Sequence, residues 1–240
     1  MKKILILALV FALSVVCCVS CIPSKNNDND GENKPTEASP LEKVTAMYAD
    51  SAPTKIVAKT TQTIGSLELE CNYELVNGTV DGMPASVYTV NTQELETIEN
   101  GGATDVIKPL VKPVSRKTEA IQGIGSRING GDWDPAGEVY FISKGDMAIN
   151  LDKDSVTNVE FKDNVLTFTI PEANAGTVLG SKYATDVASN VKVTIVTDGS
   201  VVTSIELVYS LKGNAEANLV ESNMVVKVDY SYDLEKITIS

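Results

Sequence analysis

The sequence predicts a mainly β protein of the α+β class: one large, curved antiparallel meander sheet, a half-barrel, with one or two short helices on its apolar face. Three observations predict it. Apolar and polar residues alternate in several segments, as where Leu67, Leu69, Cys71, Tyr73 and Leu75 interleave with Glu68, Glu70, Asn72 and Glu74, the two-residue period of a half-buried strand. Turn formers separate these runs, among them Asn77-Gly78, Lys162-Asp163-Asn164 and Asp198-Gly199. Residues 41–240 supply 200 residues, enough for one domain with a substantial core.

Along this domain Pro40 is placed to open a helix in which Leu41, Val44, Ala46, Tyr48 and Ala49 favour one side. Strands follow at Lys55 to Thr63 and Leu67 to Val76, joined tightly through Ile64, Gly65 and Ser66, with Asn77-Gly78 as the next turn and Ala85 to Thr92 continuing the meander. Glu99 to Gly137 then breaks the pattern with ten glycines and prolines, and residues 99–137 read as an irregular insertion, a flap or docking loop. Short β runs resume at Glu138 to Ser143, Met147 to Leu151, Val156 to Lys162 and Val165 to Ile170, followed by a short helix in Glu172 to Ser181. The strongest hairpin signal joins Val191 to Thr197 with Val201 to Leu211 through Asp198-Gly199, which suits a type I′ turn. Met224 to Tyr232 and Ile237 to Ile239 finish the sheet. No repeat at solenoid or propeller period is present.

Ahead of the domain stands MKKILILALVFALSVVCCVSC, a cationic start, an apolar run and a small residue, Ser20, before Cys21. Lys2 and Lys3 hold the start on the cytoplasmic side while Ile4 to Val16 is long enough to enter a membrane, the anatomy of an export signal. It resembles the lipobox of bacterial lipoproteins, departing from it at Cys18, where an aliphatic residue usually stands. That resemblance implies cleavage after residue 20 and a diacylglycerol anchor on Cys21, with Cys18 and Cys17 as alternative sites. An uncleaved anchor over Ile4 to Ile22 and plain secretion are the competing readings. Residues 21–40 then form a polar linker rich in Asn, Asp, Pro and Ser, with too few hydrophobes to fold. The domain is thus expected at a bacterial membrane or cell envelope, facing outside the cytoplasm.

Charge and composition exclude several functions. The chain carries −12, and loss of residues 1–20 with Lys2 and Lys3 takes this to −14, which argues against nucleic acid and against charge-driven adsorption to anionic headgroups. It holds no histidine, which removes the usual general base, the commonest zinc ligand and every Ser-His or Cys-His pair. Once the signal is removed and Cys21 acylated, Cys71 is the remaining thiol, so no intrachain disulfide framework is expected. Its strand position marks it as buried and structural.

Three chemical near-motifs remain. Asp132 and Asp134 flank Trp133, the one tryptophan, in GGDWDP, a combination that fits a sugar site or, more simply, a turn pinned by an indole. GIGSRI has Gly123 and Gly125 but Ile128 where a dinucleotide loop needs glycine. DKDSVTNVE offers Asp152, Asp154, Asn158 and Glu160, yet Val156 and Thr157 occupy positions a calcium loop would give to a ligand and a glycine. The sequon at Asn77 falls in an expected turn. No catalytic residue, metal or cofactor is assigned, and the expectation is a non-enzymatic protein.

The late strands sharpen that expectation. Val201, Ile205, Leu207, Tyr209 and Leu211 form one apolar face, Val202 and Val208 lie on the other, and Met224, Val226, Val228, Tyr230 and Tyr232 repeat the pattern. Leu67, Leu69, Cys71, Tyr73, Ile205, Leu207, Tyr209, Val226, Val228 and Tyr230 are therefore the expected apolar face or cavity lining. Two short helices are little cover for nine or more strands, so the sheet must curl or leave room for an apolar ligand. The leading helix, the meander, the glycine-rich interruption, VKVTIVTDGSVVTSIELVYSL and MVVKVDYSYDLEKITI together resemble the half-barrel lipoproteins of the LolA, LprG and LppX type. That resemblance implies a sheet closed on one side by helices around a cavity for acyl chains or glycolipids, and it carries no ligand-contact residue over. The expected partners are the membrane, through the diacylglycerol, and a lipid or other hydrophobic ligand. A surface-interaction, adhesin-like or structural lipoprotein with an envelope protein partner is the alternative, and a carbohydrate-active protein using Asp132 or Asp134 the third.

Overall fold

The computed structural model describes residues 38–50, 52–96, 110–137, 153–175, 188–212, 221–233 and 237–239. The leader with Cys17, Cys18 and Cys21, most of the 21–40 linker, and the expected strands at 138–143 and 147–151 lie outside the described residues.

Helix α1, Pro40–Asp50, is the one α-helix of any length among the described residues. A capping box starts it: the Glu42 N–H donates to Ser39 Oγ at 3.3 Å and the Ser39 N–H to Glu42 Oε2 at 2.7 Å, with Pro40 at the first helical position. Leu41 and Val44 are buried, and Met47 packs against the same core. Ala46, expected on that side, is exposed, because the buried stripe runs at three-residue steps through Met47.

Ten strands follow: β1 Lys55–Ile64, β2 Leu67–Val80, β3 Met83–Glu96, β4 Leu110–Ile121, β5 Gly125–Ile128, β6 Thr157–Lys162, β7 Val165–Ile170, β8 Ala188–Thr197, β9 Val202–Leu211 and β10 Ser222–Ser231. They form one antiparallel sheet in the order β5-β4-β3-β2-β1-β10-β9-β8-β7-β6. The protein is mostly β and the sheet is not closed: β5 and β6 are its two edges. It consists of two five-strand meanders joined where β10 returns beside β1, pairing from Lys55 with Ser231 to Thr63 with Asn223.

Four expectations need correction. The insertion at 99–137 contains two strands: β4 pairs with β3 from Ala85 with Ile121 to Glu96 with Leu110, and β5 pairs with the end of β4. Pro113 is tolerated because β5 reaches only Thr118–Ile121, leaving β4 an edge at the proline. The turn after β2 is not Asn77-Gly78, which lie within the strand, but Asp81-Gly82, both at positive φ (51° and 80°). Asp198-Gly199 does not make a two-residue I′ turn: Asp198 Oδ1 accepts the N–H groups of Ser200 and Val201 at 2.8 and 2.9 Å, an Asx-type loop of four residues. Ile237–Ile239 lie outside the sheet, with Ile237 buried. The expected helix at 172–181 opens with a 3-10 turn, Glu172–Asn174, after Pro171, and residues 176–181 lie outside the described residues.

Asp163-Asn164, both at positive φ (50° and 63°), form the β6–β7 turn where expected. The register shift between Val196 and Thr197 pairs Val196 with Ser204 but Thr197 with Val202. The extra residue on β9 turns Val202 to the inner face, where it is fully buried, opposite to the face its spacing predicts.

Candidate functional site

Antiparallel pairing puts directly opposed residues on one face, so the register can be followed from strand to strand. One such line runs Val90, Tyr73, Ala58, Val228, Ile205, Ile195 and Leu166, across β3, β2, β1, β10, β9, β8 and β7. The next runs Cys71, Thr60, Val226, Leu207, Val193 and Phe168. All of these residues are buried, in a core that spans both meanders. Leu69, Cys71, Tyr73, Ile205, Leu207, Tyr209, Val226, Val228 and Tyr230 are brought together on this inner face as expected, and Leu67 at its margin is half-buried.

Polar side chains interrupt this face, Thr60, Ser86 and Thr118 among them, and Asn77 Oδ1, opposite Ser86, is buried without a hydrogen-bond partner among the described residues. Gln62 Nε2 donates to Ser222 Oγ at 3.0 Å, and the Tyr73 and Tyr88 rings meet at 5.6 Å, tilted by 59°. Burial pushes the Cys71 thiol up to about 11 and the Tyr209 phenol well above its usual range, so both stay neutral at ordinary pH. Helix α1 lies over β6, β7 and β9, at one side of the sheet.

The sequence reading missed the β4 part of this face. Val114, Arg116, Thr118 and Ala120 continue it, opposite Thr92, Val90, Tyr88 and Ser86. The two-residue spacing was visible, but only one of the four is a large aliphatic, and Pro113 disguised the strand.

The reverse face near the β5 edge holds a separate cluster. Glu119 is buried with 4% of its surface exposed, hydrogen-bonded to Lys117 Nζ at 2.7 Å and Arg127 Nε at 2.6 Å, and Arg127 lies 5.0 Å from the centre of the half-buried Trp133 ring. Asp134 exchanges backbone hydrogen bonds with Ser126, at 2.8 and 3.0 Å, and its Oδ1 accepts the Ala136 N–H at 2.9 Å. GGDWDP is thus a strap fastened over the β4–β5 hairpin, with Asp132 exposed on it. Gly123 and Gly125 serve the hairpin turn at positive φ. Asp154 lies in a 3-10 turn, Asn158 at a bulge with φ 54°, Glu160 is exposed, and Asp152 is outside the described residues. Among the described residues no group of three or more His, Cys, Asp or Glu is placed to hold a metal.

Burial raises the Glu119 pKa, but hydrogen bonds and charge from Lys117 and Arg127 outweigh it and leave it below the usual carboxylate value. A lowered folded pKa means a stabilising contribution fully present above the unfolded value near 4.3 and lost as pH falls through the folded one. Glu119→Gln should therefore cost about 1.5–3 kcal/mol at pH 7 and flatten the acid limb of the stability curve, measured by urea unfolding from pH 7 to 2. An unchanged acid limb would show that the cluster does not couple to folding.

Fold and site define an open antiparallel β-sheet protein with an extended apolar inner face. No family model matches the chain, and no curated protein matches it. Among solved structures it is similar to Rv2717c from M. tuberculosis, at 12% identity and a TM-score of 0.27 over 81% of this chain and 99% of that one. It is also similar to a DUF1329 family protein from Desulfovibrio piger, at 11% identity and a TM-score of 0.24 over 81% of this chain and 93% of that one. These are weak resemblances of fold.

Proposed function

We propose that this protein is a membrane-tethered, extracytoplasmic lipoprotein, non-enzymatic, that binds or carries a lipid or another hydrophobic ligand on the inner face of its sheet, as the LolA, LprG and LppX resemblance implies. The observation that carries the reading is the apolar face itself, continuous from Val90 on β3 to Leu166 on β7 in a sheet left open at both edges. A hydrophobic ligand would be held by apolar contact, which needs no catalytic group. The leader supports the location: a small residue before Cys21, followed by a polar linker, is what a diacylglycerol-anchored domain requires.

Native mass spectrometry of the full chain purified from bacterial membranes tests both parts. The expected spectrum shows a bound species of lipid mass and an N-terminus at Cys21 carrying diacylglycerol. Spectra without ligand, together with failure to bind an added hydrophobic probe, would overturn the carrier reading, and an unmodified N-terminus would overturn the tether.

A further inference from the structure

The chain contains three Asn-Gly steps, Asn77-Gly78, Asn100-Gly101 and Asn129-Gly130, of which the second lies outside the described residues. An asparagine followed by glycine can react with its own backbone, because glycine has no side chain to hinder the approach of its nitrogen to the carboxamide. The fold treats the other two steps oppositely.

Asn77 and Gly78 lie within β2. Val80 and Met83 close the two-residue turn at Asp81-Gly82, so Gly78 and Ala85, two positions back, are again a pair that exchanges ladder hydrogen bonds. The Gly78 nitrogen is thereby engaged. The Asn77 N–H donates to the Thr54 carbonyl at 2.7 Å, while Asn77 Oδ1 is buried and accepts no hydrogen bond among the described residues.

Asn129 and Gly130 are exposed, at φ 50° and 72°, in a turn that leaves β5 and is closed by the Gly131 N–H on the Ile128 carbonyl at 3.0 Å. The Gly130 N–H makes no hydrogen bond among the described residues, so water reaches it. Asn129 is held by the Lys117 backbone: its N–H donates to the Lys117 carbonyl at 2.8 Å, and its Oδ1 accepts the Lys117 N–H at 2.7 Å. That second bond polarises the carboxamide and supports the negative charge that forms on Oδ1 when the carbon is attacked.

From this contrast we infer that Asn129 is a site of spontaneous modification, deamidating in the intact fold, while the strand protects Asn77. The Gly130 nitrogen bonds to Asn129 Cγ and gives up its proton, the Cγ–Nδ2 bond breaks, and the nitrogen leaves as ammonia carrying that proton. One water then opens the cyclic imide at either carbonyl, giving aspartate or isoaspartate, with no oxidant or reductant involved. The product adds a negative charge where β5 runs into the strap that bears Trp133, and isoaspartate lengthens the backbone there by one carbon.

Incubation of the full chain at mildly alkaline pH, followed by peptide mapping with fragment-ion sequencing, tests it through a mass gain of about 1 Da at the reacting residue. In the folded protein Asn129 should convert at least about tenfold faster than Asn77, whose reaction requires the strand to open first. In denaturing urea the two rates should converge. Equal rates in the folded protein, or no conversion at Asn129 over a time in which the unfolded chain reacts there, would overturn the inference. A preference that persists unchanged in urea would also overturn it, by tracing the selectivity to the flanking residues instead of the fold.

Discussion

Leu207→Ala is expected to lower the stability of the fold by about 2–5 kcal/mol, while Val208→Ala, one residue along the same strand, should change it by less than about 0.5 kcal/mol. Leu207 is 4% exposed and opposed by Val226 on one side and Val193 on the other. Truncation removes its transfer energy and leaves a cavity that rigid strands on both sides cannot collapse to fill. Val208 faces outward, 40% exposed, opposite Val225 and Lys192, and loses little that water does not already reach. For a chain of this size the first change corresponds to a fall in Tm of roughly 5–20 °C. Thermal unfolding of both variants checks the face assignment, and equal losses would mean the register of β9 is wrong.

Gly125→Ala is the second large effect, expected to cost about 2–4 kcal/mol and to loosen the strap around Trp133. Gly125 has φ +118°, a conformation L residues rarely adopt, and a Cβ there would fall 2.1 Å from the Asp134 carbonyl oxygen and 2.7 Å from Pro135 Cα. Both obstacles are backbone, so neither can rotate away, and the Ser126–Asp134 bridge has to part. Trp133, the one tryptophan, reports the event directly: its emission should shift to longer wavelength as the indole leaves Arg127. Native-like emission and unchanged stability would show that the strap is not held as described. Gly137, whose added Cβ would meet Ser126 Oγ at 2.1 Å, belongs to the same close approach but faces a side chain that can turn.

Strands whose neighbours bury one face and leave the other wet were legible from spacing alone, which is why β1, β2, β7, β9 and β10 lie close to their expected positions. Strand β4 was not, because its inner positions are Val114, Arg116, Thr118 and Ala120, and Pro113 reads as a breaker until the short partner β5 is known. The same blindness hid part of the candidate site. An arginine in an apparent loop has no face, whereas an arginine opposite Val90 does. Asn77-Gly78 and Asp81-Gly82 both carry hairpin chemistry, and only the pairing of Val80 with Met83 decides between them.

The alternation of side chains along each strand, the missing histidine and the apolar leader before Cys21 are local facts that the sequence by itself determined, since a two-residue period and a composition need no partner. The return of β10 to β1, the inward turn of Val202 at its bulge and the place of Arg116 opposite Val90 were decided by the tertiary structure alone. Each depends on which distant strand supplies the hydrogen bonds and in what register, a choice made by the whole sheet as it buries its common face.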